Sequence, residues 1–265
     1  MIDPYGKLTI QTKMFKVAKF FQKICKKYNL RYYMAYGTLL GSVRHQGFIP
    51  WDDDMDFLMP REDYEKFLQI APKELEGTDI GVVDYDHRIK NLHAYLFIKI
   101  DGISWPIIDL MPLDGVFSSP AIRKIHLWLC ERIAIASWHA QRQDKNKKNT
   151  MIRYLRLKIT TLIFGNYIAN KTMHLIRSIK KYDNSCYVQG FGYSISKEIM
   201  PKAWFGNGVE KDFLFAEEQE KFCCPNNSHA YLAQIYGSDY MQLPPKRERC
   251  GHHCLEDLKI FDKNP

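Results

Sequence analysis

The sequence of 265 residues predicts an α+β fold, in which a small mixed β-sheet is flanked by helices and followed by a helical insertion and C-terminal part. Apolar residues recur at helical spacing over Leu8–Tyr28, which predicts an amphipathic opening helix that packs against the sheet. Polar and apolar residues alternate over Asp54–Met59, which is typical of a half-buried strand. Hydrophobic residues make up 46% of the chain, so a disordered protein is excluded.

The remaining elements follow in chain order from the same periodicities and from turn signals. We expect further strands at 32–36, 94–100 and 107–111, and further helices at 39–43, 61–70, 121–140, 150–181 and 216–237. The strands would form one small sheet, and the chain shows no internal repeat.

An acidic cluster lies at the start of the alternating strand. Asp54 and Asp56 share one face of that strand, and two carboxylates about 4 Å apart repel by roughly 4 kcal/mol at an effective dielectric near 20. The pair must therefore have a raised pKa, spread into solvent or hold a cation. Hard oxygen ligands favour Mg²⁺ or Mn²⁺ over zinc. A solvated acidic loop is the alternative, but the cluster directly follows Trp51 and leads into an apolar strand.

A small-residue segment precedes the acidic cluster. Gly37 and Gly41 flank Thr38, and the step from Gly41 to Ser42 could bring backbone N–H groups and a hydroxyl close to a phosphate. Arg44 adds countercharge. The alternatives are an ordinary turn and a simple ion pair between Arg44 and an aspartate.

Asp109 is a third acidic candidate, in the segment PIIDLMPLDG. Two apolar residues lead into it, and Pro112 and Gly115 end the strand-like segment. Asp109 could be a third metal ligand, and a buried capping or turn carboxylate is an equal alternative on the residues alone.

These motifs together resemble a known superfamily and, within it, one family. A Gly-Ser step, a spacer of about a dozen residues, an Asp-x-Asp strand and a later strand aspartate resemble the nucleotidyltransferase superfamily. The longer segments GTLLGSVRHQGFIPWDDDMDF, IDLMPLDG and YLAQIYGSDYMQLPP, followed by two histidines, resemble the LicD family, whose eukaryotic relatives include fukutin and fukutin-related protein. The segments occur in order between residues 36 and 253.

The resemblance implies a nucleotidyltransferase-like core and transfer of phosphocholine, or a related phosphoalcohol, from CDP-choline or another CDP-alcohol. The acceptor would be a sugar hydroxyl of a cell-surface glycan, a lipid-linked oligosaccharide, or a teichoic-acid or lipopolysaccharide precursor, with release of CMP. The predicted catalytic residues and ligands of Mg²⁺ or Mn²⁺ are Asp54, Asp56 and Asp109. The predicted substrate contacts are Gly37, Thr38, Gly41, Ser42, Arg44, Asp53, His252 and His253.

On this interpretation the chain divides into three parts. Residues 1–116 would form the catalytic core, and 117–185 a basic helical insertion that contacts the acceptor or a membrane surface. Residues 186–265 would complete the active site. Two other functions are compatible with the sequence: a nucleotidyltransferase acting on a sugar phosphate, RNA or protein, and a non-catalytic module that binds nucleotide or membrane.

The net charge of +8 indicates an anionic partner, and nucleotide, anionic glycan, nucleic acid and an anionic membrane surface all fit this charge. We expect no nucleic acid partner. The segment 151–168 predicts a basic amphipathic helix that either rests on a membrane or packs on the core with a basic outer face. Seven cysteines, an opening segment without a leader and the lack of a spanning apolar stretch predict a cytoplasmic protein, peripheral to the inner face of the plasma membrane.

A zinc site is the less favoured interpretation of the C-terminal cysteines. Cys250 and Cys254 flank the two histidines, and Cys223 with Cys224 could supply further thiolates. The spacing matches no familiar zinc pattern, and adjacent ligands bind one tetrahedral ion poorly.

Overall fold

The structure, a computed structural model, describes residues 5–84, 93–100, 102–141, 175–190 and 199–251. Within these ranges the helices are α1 (Leu8–Tyr28), α2 (Tyr36–Arg44), α3 (Arg61–Glu74), α4 (Pro120–Gln141) and α5 (Ser228–Tyr236). The strands are β1 (Tyr33–Met34), β2 (Met55–Pro60), β3 (Ile80–Val83), β4 (Ala94–Ile100), β5 (Ile103–Val116), β6 (Tyr187–Gln189), β7 (Ile199–Pro201), β8 (Val209–Phe215) and β9 (Glu218–Cys224). The predicted α+β class is confirmed.

Strand β5 is the centre of a seven-stranded mixed sheet with the order β1-β2-β5-β4-β3. It pairs in parallel with β2 and antiparallel with β4, and its end pairs antiparallel with β6, which in turn pairs with β7. Because β5 pairs with β2, β4 and β6, hydrogen bonds to three neighbouring strands fix the position of the residues on β5.

Helix α1 packs on this sheet through one apolar face, as its periodicity predicts. Phe21 is fully buried, and its ring centroid lies 4.9 Å from that of Phe57 on β2 and 5.2 Å from that of Phe67 on α3. The helix ends at Asn29, whose left-handed φ of 52° lets the next N–H, that of Leu30, donate to the carbonyl of Cys25. Helix α1 therefore covers the strand that carries the predicted aspartates.

The helix predicted over 216–237 is confirmed only at its end, where helix α5 lies, and is wrong for its first part. That first part forms strand β9, which pairs antiparallel with the preceding strand β8 in a hairpin. The hairpin reverses at Ala216, which has a left-handed φ of 55°, and buries Phe213 and Phe222 against the core. The C-terminal part is therefore not mainly helical in the residues described.

The strand predicted at 94–100 has the bounds of β4, and several other predicted elements are found with shifted ends. The short helix expected at 39–43 begins earlier, at Tyr36, and the strand expected at 32–36 shrinks to two residues. The helix expected at 121–140 corresponds to α4. Of the helix expected at 150–181, residues 175–178 are helical, whereas 150–174 and the amphipathic segment 151–168 lie outside the described residues.

Candidate active site

Three aspartates meet where the parallel strands β2 and β5 lie side by side. The register pairs Asp56 directly with Asp109, so that their side chains share one face of the sheet. Asp54 lies two residues before Asp56 and points to the same face. Oxygen atoms of the three carboxylates all lie within 4.8 Å of one another. The strand pairing thus converts two distant sequence motifs into one acidic site.

The carboxylates of this site raise one another's pKa. Burial raises the pKa of Asp56, and the charges of Asp54, Asp109 and Asp52 raise it further, in that order. The backbone N–H of Gly37 donates a hydrogen bond to Asp56 and opposes the shift. Burial also raises the pKa of Asp52, followed by the charge of Asp54, with which it is hydrogen-bonded. A cation is the simplest way to hold all four groups ionised.

Helix α2 directs its N-terminus at the cluster. Gly37, the second residue of the helix, lies so close that a Cβ atom there would be 2.7 Å from Asp52 Oδ2. Tyr36 precedes it with a left-handed φ of 41°, a conformation that L-residues rarely adopt. The buried hydroxyl of Thr38 accepts a hydrogen bond from the N–H of Asp56 at 2.8 Å. The helix start therefore positions the aspartate strand by its backbone and by one hydroxyl.

Gly41, Ser42 and Asp53 lie behind the cleft wall. Gly41 packs against the carbonyl of Gly47, and a Cβ atom would collide with it. Ser42 is buried and its hydroxyl donates to the carbonyl of Leu39 at 3.0 Å. Asp53 is fully buried, with Lys7 Nζ 2.6 Å from its carboxylate. That these three residues contact substrate stays a prediction.

Arg44 lines the cleft and also holds one of its walls. Its guanidinium donates hydrogen bonds to the carbonyl oxygens of Tyr240 and Gln242, at 3.0 and 3.1 Å. Burial lowers its pKa from the ordinary value. His252 and His253 lie outside the described residues, so their predicted contacts also stay predictions.

Several cleft residues are absent from the sequence-based set, and three of them interact with the aspartates of the cluster. Asp52 continues the spacing of two that joins Asp54 and Asp56, and that spacing was the signal for it. His93 brings its Nε2 to 3.3 Å from Asp109 Oδ1. Tyr236 lines the cleft, and its pKa is raised by burial and then by the charges of the acidic cluster. Tyr236 lies in the segment YLAQIYGSDYMQLPP, which carries the family resemblance, and that segment was the signal for it, whereas His93 lies in no such pattern.

The cleft has a volume of about 1010 Å³ and is large enough for a nucleotide. Its floor carries the aspartates, and its opposite wall is the segment 239–250. Arg249 on that wall lies 5.4 Å from the ring centroid of Trp51 beside the acidic loop. An anionic floor with an arginine at the rim suits a diphosphate that bridges cations and protein.

The donor set is suited to Mg²⁺ or Mn²⁺, because both ions prefer carboxylate oxygen. Among the described residues, the groups of His, Cys, Asp and Glu that could hold a metal ion consist of aspartates alone: Asp54, Asp56 and Asp109, and Asp52, Asp53 and Asp54. Cys223 and Cys224 have pKa values raised by burial, which disfavours the thiolates that zinc requires.

The mixed sheet, the Asp-x-Asp strand and the partner aspartate on a parallel neighbour define a nucleotidyltransferase-like domain. Residues 29–129 match the family model of the LicD/FKTN/FKRP nucleotidyltransferase domain. The resemblance drawn from the motifs is confirmed, and all three cluster aspartates fall within the matched residues.

The chain is similar over most of its length to the lipopolysaccharide cholinephosphotransferase LicD of Haemophilus influenzae. The two proteins are 29% identical over 264 residues, which cover 94% of this chain and 98% of that protein. Two uncharacterized proteins, of Rickettsia typhi and Rickettsia prowazekii, are 43% and 42% identical over 60 residues. These shorter matches cover 23% of this chain and 19% and 23% of the respective relatives.

Proposed function

We propose that this protein transfers phosphocholine from CDP-choline to a sugar hydroxyl of a cell-surface glycan precursor, such as lipopolysaccharide or teichoic acid, and releases CMP. The observation that carries the proposal is the cluster of Asp54, Asp56 and Asp109 on the cleft floor, within a LicD-family domain. The similarity to the Haemophilus cholinephosphotransferase along nearly the whole chain supports the choice of donor. A lipid-linked acceptor would place the reaction at the cytoplasmic face of a membrane.

The reaction is a displacement at the phosphorus atom that bears choline. The acceptor oxygen forms a bond to this β-phosphorus, the bond from phosphorus to the bridging oxygen breaks, and CMP leaves with that oxygen. Asp54, Asp56 and Asp109 would hold Mg²⁺ or Mn²⁺, which when bound neutralises charge on the diphosphate. Asp109 would also accept the proton of the acceptor hydroxyl, and the neighbouring His93 supports this role.

The residues around the aspartates shape the cleft in which the donor would bind. Gly37 leaves room beside the carboxylates because any side chain there would collide with Asp52. Arg44 holds the wall at Tyr240 and Gln242, so it shapes the cleft through backbone carbonyls. Trp51 and Arg249 lie together at the rim, where a nucleotide base or phosphate would enter.

Calorimetric titration tests the donor and the metal together. The purified protein is titrated with CDP-choline, CDP-ethanolamine, CDP-ribitol, CTP and ATP, each with Mg²⁺ and with EDTA. We expect binding that requires Mg²⁺ and is selective for CDP-choline. Selectivity for another CDP-alcohol would identify a different transferred phosphoalcohol. A preference for CTP or ATP would favour a nucleotidyltransferase, and no binding would favour a non-catalytic module.

Substitution of the cluster tests the site. Asp54→Asn, Asp56→Asn and Asp109→Asn should each lower the rate of CMP release by at least about 10³-fold, because each removes charge that the reaction requires. Asp79→Asn is the matched control, since Asp79 forms an exposed ion pair with Lys16 away from the cleft. Full activity in any of the three variants would overturn the assignment of that residue.

A further inference from the structure

Helix α4 exposes apolar side chains where a soluble helix usually exposes polar ones. Ile122, Ile125 and Leu129 recur at helical spacing, and Trp128 extends the same side of the helix. Ile125 is 62% exposed and Trp128 is 54% exposed, although both belong to residue types that are usually buried. An adjacent side of α4 is packed, since His126 and Cys130 are buried.

A second apolar segment lies beside this helix. His126 Nε2 is 2.7 Å from the carbonyl oxygen of Ile176, which joins α4 to the helical residues 175–178. Leu175 and Ile179 in and beside that stretch are 61% and 63% exposed. Single exposed apolar residues are common on proteins, whereas six on two adjoining segments indicate a contact surface.

This surface is also basic. Residues 120–130 and 175–182 contain no aspartate or glutamate. They contain five basic residues: Arg123, Lys124, Arg177, Lys180 and Lys181. Of these, Arg177 is buried and ion-paired with Asp114, so the other four supply the charge near the surface. An anionic partner is therefore electrostatically complementary to the apolar patch.

We propose that this surface, made of Ile122, Ile125, Trp128, Leu129, Leu175 and Ile179 with Lys124, Lys180 and Lys181, docks onto an anionic lipid bilayer. Tryptophan at the interface, aliphatic side chains in the acyl boundary and lysines at the headgroups are the composition of a peripheral membrane site. Among the described residues no helix has both the length and the apolar character to cross a bilayer. The proposed surface would therefore lie on the membrane and not span it.

A second copy of the chain fits this surface less well than lipid does. A two-fold contact would bring the same lysines of both copies together without acidic partners from these segments, which opposes association. The proposal concerns residues outside the cleft and holds whether or not the proposed transfer reaction is correct.

Vesicle flotation tests the surface directly. The full-length protein is mixed with phosphatidylcholine vesicles with or without one quarter phosphatidylglycerol. We expect binding to the anionic vesicles that weakens with added salt. The double variant with Ile125→Glu and Trp128→Glu should bind at least about tenfold more weakly, because two apolar contacts are lost and two like charges are added.

Two matched controls separate docking from unfolding. Ile103→Glu changes a residue of similar exposure at the far end of β5 and should leave vesicle binding unchanged. Lys180→Gln with Lys181→Gln keeps the apolar patch and should weaken binding about fivefold per lysine. Release of CMP from a soluble donor should be the same in the double glutamate variant as in wild type.

Three results would overturn the proposal. The first is a wild-type protein that does not float with anionic vesicles. The second is a double glutamate variant that binds as wild type does. The third is a wild-type dimer, seen by sedimentation velocity, that the same double substitution converts to monomer, since this would assign the surface to a second copy.

Discussion

Asp109 and Asp114 lie on the same strand, β5, but face opposite sides of the sheet because Asp114 is five positions, an odd number, after Asp109. Asp109 faces two further carboxylates, those of Asp54 and Asp56. Asp114 lies between two arginines, with Arg61 Nε at 2.7 Å from one oxygen and Arg177 Nε at 2.9 Å from the other. The two aspartates are of the same residue type and on the same strand, and they differ in their neighbours: Asp114 has positive countercharges, whereas Asp109 faces like charges.

The Asp114 side is a structural clamp. Arg61 begins helix α3, and Arg177 also donates to the carbonyl of Gly190, so the clamp joins α3, β5 and the segment around β6. All three charged side chains are nearly inaccessible to solvent. Ions buried in this way are stable only while their partners remain, so the clamp contributes to folding. The opposite face has like charges instead, and it opens into the cleft.

The largest expected effect is loss of the clamp's charge. Asp114→Asn keeps the side-chain shape but leaves Arg61 and Arg177 buried without a full countercharge. We expect the free energy of unfolding to fall by about 3–5 kcal/mol, as measured by urea denaturation followed by circular dichroism. The matched variant on the other face is Asp56→Asn, which removes repulsion and should leave metal-free stability unchanged or higher.

Equal destabilisation by Asp114→Asn and Asp56→Asn would contradict the proposed difference between the two faces of the sheet. It would show that the acidic cluster is held by hydrogen bonds strong enough to make its charge favourable without a cation. The arginine side can be tested separately with Arg61→Met, which should lower stability in the same way because Asp114 would lose its bidentate partner.

A second test uses pH and Mg²⁺. Burial and neighbouring carboxylates raise the pKa values of Asp52 and Asp56 above their ordinary 3.8 in the folded, metal-free protein. The folded state therefore binds more protons than the unfolded state above that pH, and stability should fall as pH rises through the raised pKa values. In EDTA we therefore expect Tm to decrease as the pH rises above the ordinary carboxyl pKa of 3.8.

Mg²⁺ should reverse this trend, because it competes with protons for the same carboxylates. At about 100 times its Kd, the ion should add about 2.7 kcal/mol to stability, and more at high pH than at low pH. The Asp56→Asn variant should show a flatter pH profile and a smaller response to Mg²⁺. A wild-type Tm that is independent of both pH and Mg²⁺ would contradict the assignment of the cluster as a cation site.

The sequence alone predicts the acidic face of β5 better than the face that carries Asp114. The spacing of Asp54 and Asp56 identifies a shared face, and the family resemblance adds Asp109. The segment PIIDLMPLDG contains Asp109 and Asp114 without indicating which of them meets arginines, because Arg61 and Arg177 are distant in sequence. Likewise, nothing around Asp53 predicts its partner Lys7, which lies 46 residues earlier.

Local patterns predict elements well where the pattern and the tertiary contacts agree. Helix α1 has the expected bounds because its apolar face is long and the whole face is buried. The helix predicted over 216–237 begins with the segment AEEQEK, which is rich in helix formers, but this segment forms the turn after β8 and the first part of β9. Phe213, Phe215 and Phe222 are buried, whereas Leu214 between the first two is exposed, and burial of the phenylalanines as one sheet face overrides that propensity.

The smallest expected effect concerns the neutral hydrogen bond that supports the acidic face. Thr38→Val removes the oxygen that accepts from the N–H of Asp56 and leaves that N–H unsatisfied, so we expect a loss of about 1–3 kcal/mol in the free energy of unfolding. Thr38→Ser retains the oxygen and should restore most of it. If valine is tolerated without loss while Asp114→Asn is not, the two faces of β5 differ even more than their charges imply, because strand pairing alone would then hold Asp56 opposite Asp109.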